Sequence, residues 1–208
     1  MCIRDRRIAV YCIKDSVLLI RLMDAIKTIY SYIGMARVCG VTLESLWVNG
    51  QQAKVLAQLL RYANQQGYVI SEKLMQVLAA VYEGAIVIEP KRGLYEMIVI
   101  CLDFASLYPS VMISQNLCYT TLIKPQDLQA HIDKYGPDGH TKTPTGACFS
   151  KKEPGLLPEI LRRLGAARSA AKREMAKQRK AGNTTMASIL DGRQLALKIS
   201  ANSVYGFT

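Results

Sequence analysis

Hydrophobic residues follow two different patterns along the chain. Over residues 8–33, and again over 51–66, they recur near the 3.6-residue helical period, with charged side chains on the other faces. From 97 to 102, and more briefly over 86–88, they form unbroken apolar runs rich in β-branched residues. The first pattern predicts two amphipathic helices, and the second predicts strands of a buried sheet.

Glycine, proline and alanine distinguish the remaining segments. Glycine and asparagine interrupt residues 34–50, which predicts a loop-rich connector, and the polar stretch 120–154 predicts short strands and loops. From Gly155 onward alanine and long side chains predict a helix, and a further helix is predicted from Leu190 to the end. If the chain turns near residues 182–183, these two helices form an antiparallel pair.

Composition adds a basic character to this picture. Half of the 208 residues are hydrophobic, which is enough for a core in one domain or two small ones. The chain has 27 lysines and arginines against 16 acidic residues, a net charge of +11. Such an excess suits a polyanionic partner, although ribosomal and membrane-surface proteins share it. No apolar stretch approaches the roughly 18 residues of a membrane span, so none is predicted.

Cysteine and histidine predict no metal site. The six cysteines form no C-x-x-C pair, and we expect reduced thiols, with Cys101 buried as a small apolar side chain in the predicted strand. His131 and His140 have neither cysteines nor clustered carboxylates near them in the sequence. We therefore expect no metal role for either histidine.

A single carboxylate, Asp103, ends the longer apolar run. A charge at the end of a buried strand is costly unless it is paired or bound to a cation, although by itself this position is more typical of a helix N-cap. Two longer patterns favour the cation. The segment from Asp103 to Ser110, Asp-Phe-Ala-Ser-Leu-Tyr-Pro-Ser, resembles motif A (DxxSLYPS) of the family B DNA polymerases. The segment from Lys198 to Gly206, Lys-Ile-Ser-Ala-Asn-Ser-Val-Tyr-Gly, resembles motif B (KxxxNSxYG), and the two occur in the family's order.

The resemblance implies a polymerase site with two Mg²⁺ ions. Nucleotidyl transfer uses two divalent cations about 3.5–4 Å apart. Asp103 would bridge both ions, and the backbone carbonyl of Phe104 would complete a coordination shell. Asp103 and Lys198 are the expected catalytic residues. The family's second carboxylate lies in a downstream Asp-Thr-Asp motif that this sequence lacks, so we expect the chain to bind nucleotide weakly and not to extend primers.

The resemblance also implies a site for a deoxynucleoside triphosphate. Arg168 and Lys172 are four residues apart, so they project from one face of their helix. Lys198 can converge on them from the antiparallel helix, so that three cations would bind one triphosphate. Tyr108 would stack under the sugar and exclude a 2′-hydroxyl. The other implied contacts to the nucleotide are Ser106, Leu107, Asn202 and Tyr205.

Two shorter motifs resemble other parts of the family. The segment Tyr11-Cys-Ile-Lys-Asp15 resembles the third 3′–5′ exonuclease motif, YxxxD, which implies Asp15 as a metal ligand and Tyr11 as the residue that positions the attacking water. The other exonuclease carboxylates are missing, so no nuclease activity is expected from this chain alone. Tyr82-Glu-Gly84-Ala resembles the YxG(G/A) element, which implies DNA contacts, but four residues alone are better explained by an ordinary turn.

Together these features predict a mixed α/β, helix-dominated part of a family B polymerase. We expect the C-terminal end of an exonuclease domain over 1–33 and a connector with the start of the palm over 34–95. The palm with motif A, a partial sheet, is expected over 96–154, and the antiparallel two-helix fingers with motif B over 155–208. The chain ends directly after motif B, which indicates a fragment.

The implied function is DNA-directed DNA polymerisation in replication, by two-metal transfer of deoxynucleotides to a primer 3′ end. The implied partners are primer–template DNA, deoxynucleoside triphosphates, a sliding clamp and accessory subunits, with no membrane; the location is the nucleus in a eukaryote and the cytoplasm otherwise. The main alternative is a noncatalytic nucleic-acid-binding remnant of such a polymerase. A third hypothesis, an unrelated basic binding module, requires both motifs to be accidental.

Overall fold

The computed structural model describes residues 3–70 and 86–207. Tyr82 and Gly84 therefore lie outside the described residues. No helix in the described part is long and apolar enough to cross a membrane. In chain order the elements are α1 (Ile3–Ala25), α2 (Thr28–Cys39), α3 (Leu43–Val48), α4 (Gln51–Gln65), α5 (Leu107–Ser114), β1 (Leu122–Ile123), α6 (Leu128–Tyr135), β2 (His140–Lys142), β3 (Cys148–Ser150), α7 (Leu156–Lys180) and α8 (Thr184–Phe207). The predicted helix-dominated, mixed α/β fold is confirmed.

The helices α7 and α8 form the antiparallel pair predicted from the sequence. Gly182 turns the chain between them with a φ of 75°, a left-handed conformation that glycine adopts at little cost. The Asn183 side chain accepts a hydrogen bond of 3.1 Å from the backbone N–H of Met186, which caps α8. Because of this cap, α8 begins at Thr184, before the predicted start at Leu190.

The core lies where α4 and α5 pack against the α7–α8 pair. Leu157 of α7 and Val204 of α8 are each only 1% exposed, and Val55 of α4 and Met112 of α5 join the same cluster. Full burial of such a side chain contributes roughly 1.5–3 kcal/mol. The helix of motif A and the helix of motif B thus share one hydrophobic core, which fixes their relative position.

A small antiparallel sheet lies in the segment between α5 and α7. Its strand order is β1-β3-β2, with Phe149 opposite both Leu122 and Thr141. The prediction of short strands and loops over 120–154 is confirmed for these strands, but the segment also contains the helix α6.

Asn116 connects this sheet with α5 and α7. Its amide nitrogen donates to the carbonyls of Ser150 and Glu153, both at 2.7 Å, and its amide oxygen accepts from the N–H of Gly155 at 2.9 Å. The backbone of Asn116 has a φ of 54°, the left-handed conformation that asparagine tolerates better than most residues. One side chain therefore holds together the end of α5 and the start of α7.

The predicted strands over 86–88 and 97–102 are wrong. Both segments are neither helix nor strand, and the side chains of Ile98 and Leu102 are 93% and 90% exposed. Cys101, predicted to be buried, is also exposed. A strand needs a neighbour for its backbone N–H and C=O groups, and no segment within residues 3–70 and 86–207 pairs with these runs.

The predicted helix over 8–33 and the connector over 34–50 also need correction. The helix is interrupted at Lys27, whose φ is 53°, and continues as α2 to Cys39, within the first part of the expected connector. Gly40 ends α2 with a φ of 68°, and Thr42 starts α3 by accepting a hydrogen bond from the N–H of Ser45. Gly40, one of the glycines that indicated a loop, is therefore a helix cap, and so is Thr42. The helix predicted over 51–66 is confirmed as α4.

Candidate active site

Motif A forms a tight turn that leads into α5. Ser106 precedes the helix with a φ of 55°, and its side chain makes no capping hydrogen bond. The Ser110 hydroxyl lies 2.9 Å from the carbonyl oxygens of both Ala105 and Ser106, which holds the turn together. The first-turn N–H groups of Leu107 and Tyr108 have no intrahelical acceptor. The N-terminus of α5 therefore offers backbone donors and a positive helix end to an anion.

Motif A meets motif B through two stacked tyrosines. The rings of Tyr108 on α5 and Tyr205 on α8 have centroids 4.1 Å apart and an interplanar angle of 16°. About half of each side chain remains exposed, 51% for Tyr108 and 49% for Tyr205. Both rings border an apolar cavity of about 470 Å³ that also includes Leu107, Met112 and Leu122. The stack thus joins the two motifs beside a cavity large enough for a small molecule.

Motif B presents one face of α8 toward this stack. Gln194, Lys198, Asn202 and Tyr205 are spaced by four, four and three residues, so they share a face, which we call the α8 stripe. The stripe is about 16 Å long at 1.5 Å per residue. Lys198 and Asn202 are exposed in its middle. Arg168 of α7 donates from Nε to the Gln194 side-chain oxygen at 3.4 Å, and Tyr108 stacks at the other end.

The three predicted triphosphate ligands occur near this stripe. Arg168 contacts Gln194, which is one turn from Lys198. Lys172 is exposed one turn further toward the connection between α7 and α8. In an antiparallel pair this places the three cations over about 12 Å of helix. Within the described residues none of them lies within 4.0 Å of an acidic side chain, so their charges are available to an anion.

The predicted metal ligands are separate from these cations. Asp103 and Phe104 lie just before α5, outside the helices and strands, and both side chains are exposed. Over residues 3–70 and 86–207 the Asp103 carboxylate makes no ion pair. A carboxylate and a backbone carbonyl are the hard oxygen donors that Mg²⁺ prefers. The described residues nevertheless contain no group of three or more histidine, cysteine or acidic side chains that could hold a metal, so Asp103 stands as a single carboxylate.

The exonuclease-like residues lie far from the α8 stripe along the chain. Tyr11 and Asp15 occupy one face of α1, and both are exposed, Tyr11 by 65%. Every side chain described in α1 is exposed, so this helix contributes no buried side chain to the core.

The sequence patterns did not identify a buried polar contact behind motif B. The amide nitrogen of Gln58 on α4 donates to the Ser200 hydroxyl on α8 at 2.7 Å, and the Cys39 sulfur of α2 lies 4.0 Å from the same hydroxyl. Burial raises the pKa of the Cys39 thiol above its ordinary value of 9.0. The available signal was that Gln58, a polar residue, lies between Val55 and Leu59 on the apolar face of α4.

Motif A, motif B and the fold that brings them together are features of one protein family. The family described as DNA polymerase family B matches residues 41–208, and the chain belongs to this family. Its helix-dominated fold agrees with a solved structure, that of the family B DNA polymerase from the hyperthermophilic archaeon Pyrobaculum calidifontis. The two sequences are 32% identical and the TM-score is 0.66. The match covers 89% of this chain and 23% of the archaeal chain.

Among curated proteins the chain is similar to DNA polymerase delta catalytic subunits. It is 48% identical to that of Arabidopsis thaliana over 206 residues, which cover 98% of this chain and 18% of the relative. It is 49% identical to that of Drosophila melanogaster over 207 residues, which cover 98% of this chain and 19% of the relative. The predicted resemblance to family B is therefore confirmed, and within the family it is to the delta type. The chain spans about one fifth of the length of these relatives.

Proposed function

We propose that the chain is the nucleotide-selecting part of a replicative DNA-directed DNA polymerase, which adds deoxynucleotides to a primer 3′ end. One observation carries this proposal: the stack of Tyr108 on Tyr205 joins motif A to motif B, with Lys198 and Asn202 exposed on the same face of α8. The similarity to delta catalytic subunits favours the replicative class, and with it a nuclear location in a eukaryote.

The triphosphate binds to fixed positive groups in this proposal. Arg168 offers its planar guanidinium to phosphate oxygens, and Lys172 and Lys198 add two ammonium groups on neighbouring turns. The N–H groups of Ser106 and Leu107, at the start of α5, donate to the same phosphates. Lys198 also neutralises charge that develops on the pyrophosphate as it leaves. The tail of the nucleotide is thereby held along the α8 stripe.

The sugar and base lie at the tyrosine end of the stripe. The ring of Tyr108 forms the floor under the sugar and leaves no space for a 2′-hydroxyl, which selects deoxynucleotides. Tyr205 supports that ring by stacking, and Asn202 lines the nascent base pair beside it. Because both rings are half exposed, a sugar can reach them without unfolding the core.

The metal donors of this chain are the Asp103 carboxylate and the Phe104 carbonyl. These two donors would hold Mg²⁺, and a two-ion site would supply stabilisation of the attacking 3′-oxygen and of the leaving pyrophosphate. Asp103 alone supplies one carboxylate, so the proposal includes a second carboxylate from another part of the complete polymerase. The 208-residue chain itself then binds nucleotide weakly and does not extend primers.

The remaining parts of the proposal rest on family membership. Tyr11 and Asp15 on α1 belong to the exonuclease end of the chain, and Tyr82 and Gly84 contact the DNA template. Residues 34–154 belong to the connector and palm, and residues 155–208 to the fingers. The partners are primer–template DNA, deoxynucleoside triphosphates, a sliding clamp and accessory subunits.

Nucleotide binding tests the proposed site. We expect the chain to bind dTTP in the presence of Mg²⁺, measured by titration calorimetry. Lys198→Ala and Arg168→Ala should each weaken binding by roughly tenfold or more, because a hydrogen bond to a charged group contributes about 1.5–3 kcal/mol. Arg179→Ala, an exposed cation at the end of α7, is the control and should leave affinity unchanged. Equal losses in all three variants would indicate nonspecific charge and contradict the proposal.

A chimera tests catalysis. The matching fifth of the Drosophila melanogaster delta catalytic subunit is replaced by this chain, and primer extension is measured with radiolabelled primer. We expect extension that Asp103→Asn abolishes, and Tyr108→Ala should increase the incorporation of ribonucleotides. A chimera that binds DNA but does not extend primers with Asp103 intact would favour the noncatalytic remnant.

A further inference from the structure

A wide cleft lies behind the proposed nucleotide site, between α2, α4 and the α7–α8 pair. Its volume is about 880 Å³. Four arginines line it, one from each surrounding element: Arg37 of α2, Arg61 of α4, Arg163 of α7 and Arg193 of α8. No acidic residue lines the cleft in the described part of the chain. We call this the arginine cleft.

Most of this charge is not neutralised by acidic side chains. Within the described residues, Arg37, Arg61 and Arg193 lie more than 4.0 Å from any carboxylate. Arg163 pairs with Glu159 at 3.3 Å and stacks over the Tyr62 ring at 4.4 Å. The cleft therefore keeps three positive charges without an acidic partner within one concave surface, and such a surface concentrates anions.

A purely structural role accounts for only part of this arrangement. Arg61 donates to the Cys39 carbonyl at 3.5 Å and covers Gly40, so it stabilises the C-terminal end of α2. A guanidinium has five N–H donors, and this hydrogen bond uses one of them. Arg37 and Arg193 make no hydrogen bond, ion pair or ring contact within residues 3–70 and 86–207, so packing does not explain why both are arginines.

The cleft also contains an aromatic surface. Tyr30 lies two turns before Arg37 on α2, about 10 Å along the helix, and its side chain is 47% exposed. A basic groove with an exposed aromatic ring is the combination by which proteins bind single-stranded nucleic acid, since cations follow the backbone and rings stack on bases. In a duplex the bases are already stacked and paired, so the ring favours an unpaired strand.

We propose that the arginine cleft binds a short segment of single-stranded DNA, with its phosphates on Arg37, Arg61 and Arg193 and a base on Tyr30. This inference rests on the proposed function, because a polymerase acts beside an unpaired template strand. The cleft and the α8 stripe use different residues, so the two sites can be tested separately in the same chain.

The test is the affinity of the purified chain for a fluorescein-labelled oligothymidylate, measured by anisotropy over a range of salt concentrations without Mg²⁺ or nucleotide. Removing one cation that binds a phosphate lowers the slope of log affinity against log salt by about 0.7 for a single strand. We expect the double variant Arg37→Gln/Arg193→Gln to lower the slope by about 1.4. Tyr30→Ala should weaken binding by about tenfold and leave the slope unchanged.

The matched control is Arg173→Gln/Arg179→Gln, which removes two exposed cations of α7 outside the cleft. An equal decrease in the salt slope of both double variants would overturn the proposal. It would also be overturned if a DNA duplex bound as tightly as the oligothymidylate and lost as much affinity in Tyr30→Ala. Circular dichroism verifies that each variant is folded. The cleft variant should retain Mg²⁺-dependent binding of dTTP. If the unmodified chain binds the oligonucleotide through the cleft but does not bind dTTP, the proposed function is contradicted. If the cleft variant binds the oligonucleotide as the unmodified chain does, this inference is contradicted.

Discussion

Gly155 is a residue at which the local packing excludes even a methyl group. A Cβ at this position would lie 2.7 Å from the Cβ of Cys118 and 3.2 Å from the side-chain oxygen of Asn116. We expect Gly155→Ala to lower the free energy of unfolding by about 1–3 kcal/mol, because the hydrogen bonds of Asn116 must shift. Urea denaturation measures this change.

The helix that follows contains a control for that substitution. A Cβ at Gly165, which is exposed on α7, would meet nothing within 4 Å. Gly165→Ala should therefore raise the free energy of unfolding by roughly 0.5–1 kcal/mol, since alanine loses less backbone entropy in a helix. Changes of the same sign in both variants would contradict the packing described around Gly155.

The Cys39 thiol should make stability depend on pH in the alkaline range. Burial raises its pKa in the folded chain, so above the ordinary value of 9.0 the unfolded chain loses the proton first. The buried, protonated thiol therefore contributes to the stability of the folded chain. This contribution is complete below pH 9.0 and is lost as the pH rises through the pKa of the folded state. We expect the free energy of unfolding to fall more between about pH 7 and about pH 10 in the chain than in Cys39→Ala. Equal decreases would show that Cys39 does not titrate as described.

Among single residues, the sequence predicted roles for those that belong to long motifs and missed those defined by their spatial neighbours. Tyr108 and Tyr205 were predicted as parts of separate segments, and the structure adds that their rings stack. Gln58 was missed, because its partner Ser200 is 142 residues away in the chain. A pattern along the chain shows which residues are polar and which are apolar. The hydrogen-bond partner of a residue such as Gln58 depends on the fold.

At the scale of elements, the packing of α4 against α8 determines how motif B is held. Gln58 and Ser200 are 8% and 2% exposed, so water does not replace their hydrogen bond when one partner is removed. We expect Gln58→Ala to lower the free energy of unfolding by about 1–3 kcal/mol. The double variant Gln58→Ala/Ser200→Ala should be less destabilised than the sum of the two single variants, measured by urea denaturation. Strict additivity would contradict the coupling between the two side chains.

The elements that the sequence predicted well are those whose pattern is local. The helix α4 and the α7–α8 pair follow from apolar periodicity and a glycine turn, which depend on residues three or four apart. The runs over 86–88 and 97–102 failed as strands, because a strand requires a partner that periodicity does not specify. The β-branched residues of these runs favour a strand, but in the described structure the runs belong to neither helix nor strand.

At the scale of the whole molecule, α1 stands apart from the core. Its apolar side chains are exposed, Ile13 by 65% and Ile20 by 63%. Deleting residues 3–25 should therefore shift the midpoint of thermal unfolding by no more than about 2 °C, and should reduce the helical circular dichroism signal. The comparison is Leu157→Ala, which removes a buried side chain at a cost of about 2–5 kcal/mol and should lower the midpoint strongly. A large shift on deletion of α1 would show that this helix is packed.

The stacked tyrosines also give the molecule an optical signal of its own. The sequence contains a single tryptophan, Trp47, whose ring lies 6.0 Å from Tyr32 where α2 meets α3. Selective excitation of tryptophan therefore reports on that pair of rings and not on motifs A and B. Two parallel phenol rings 4.1 Å apart couple their electronic transitions, and near-ultraviolet circular dichroism detects such coupling. Any change in the stacking of Tyr205 on Tyr108 when a nucleotide binds would be visible without a label.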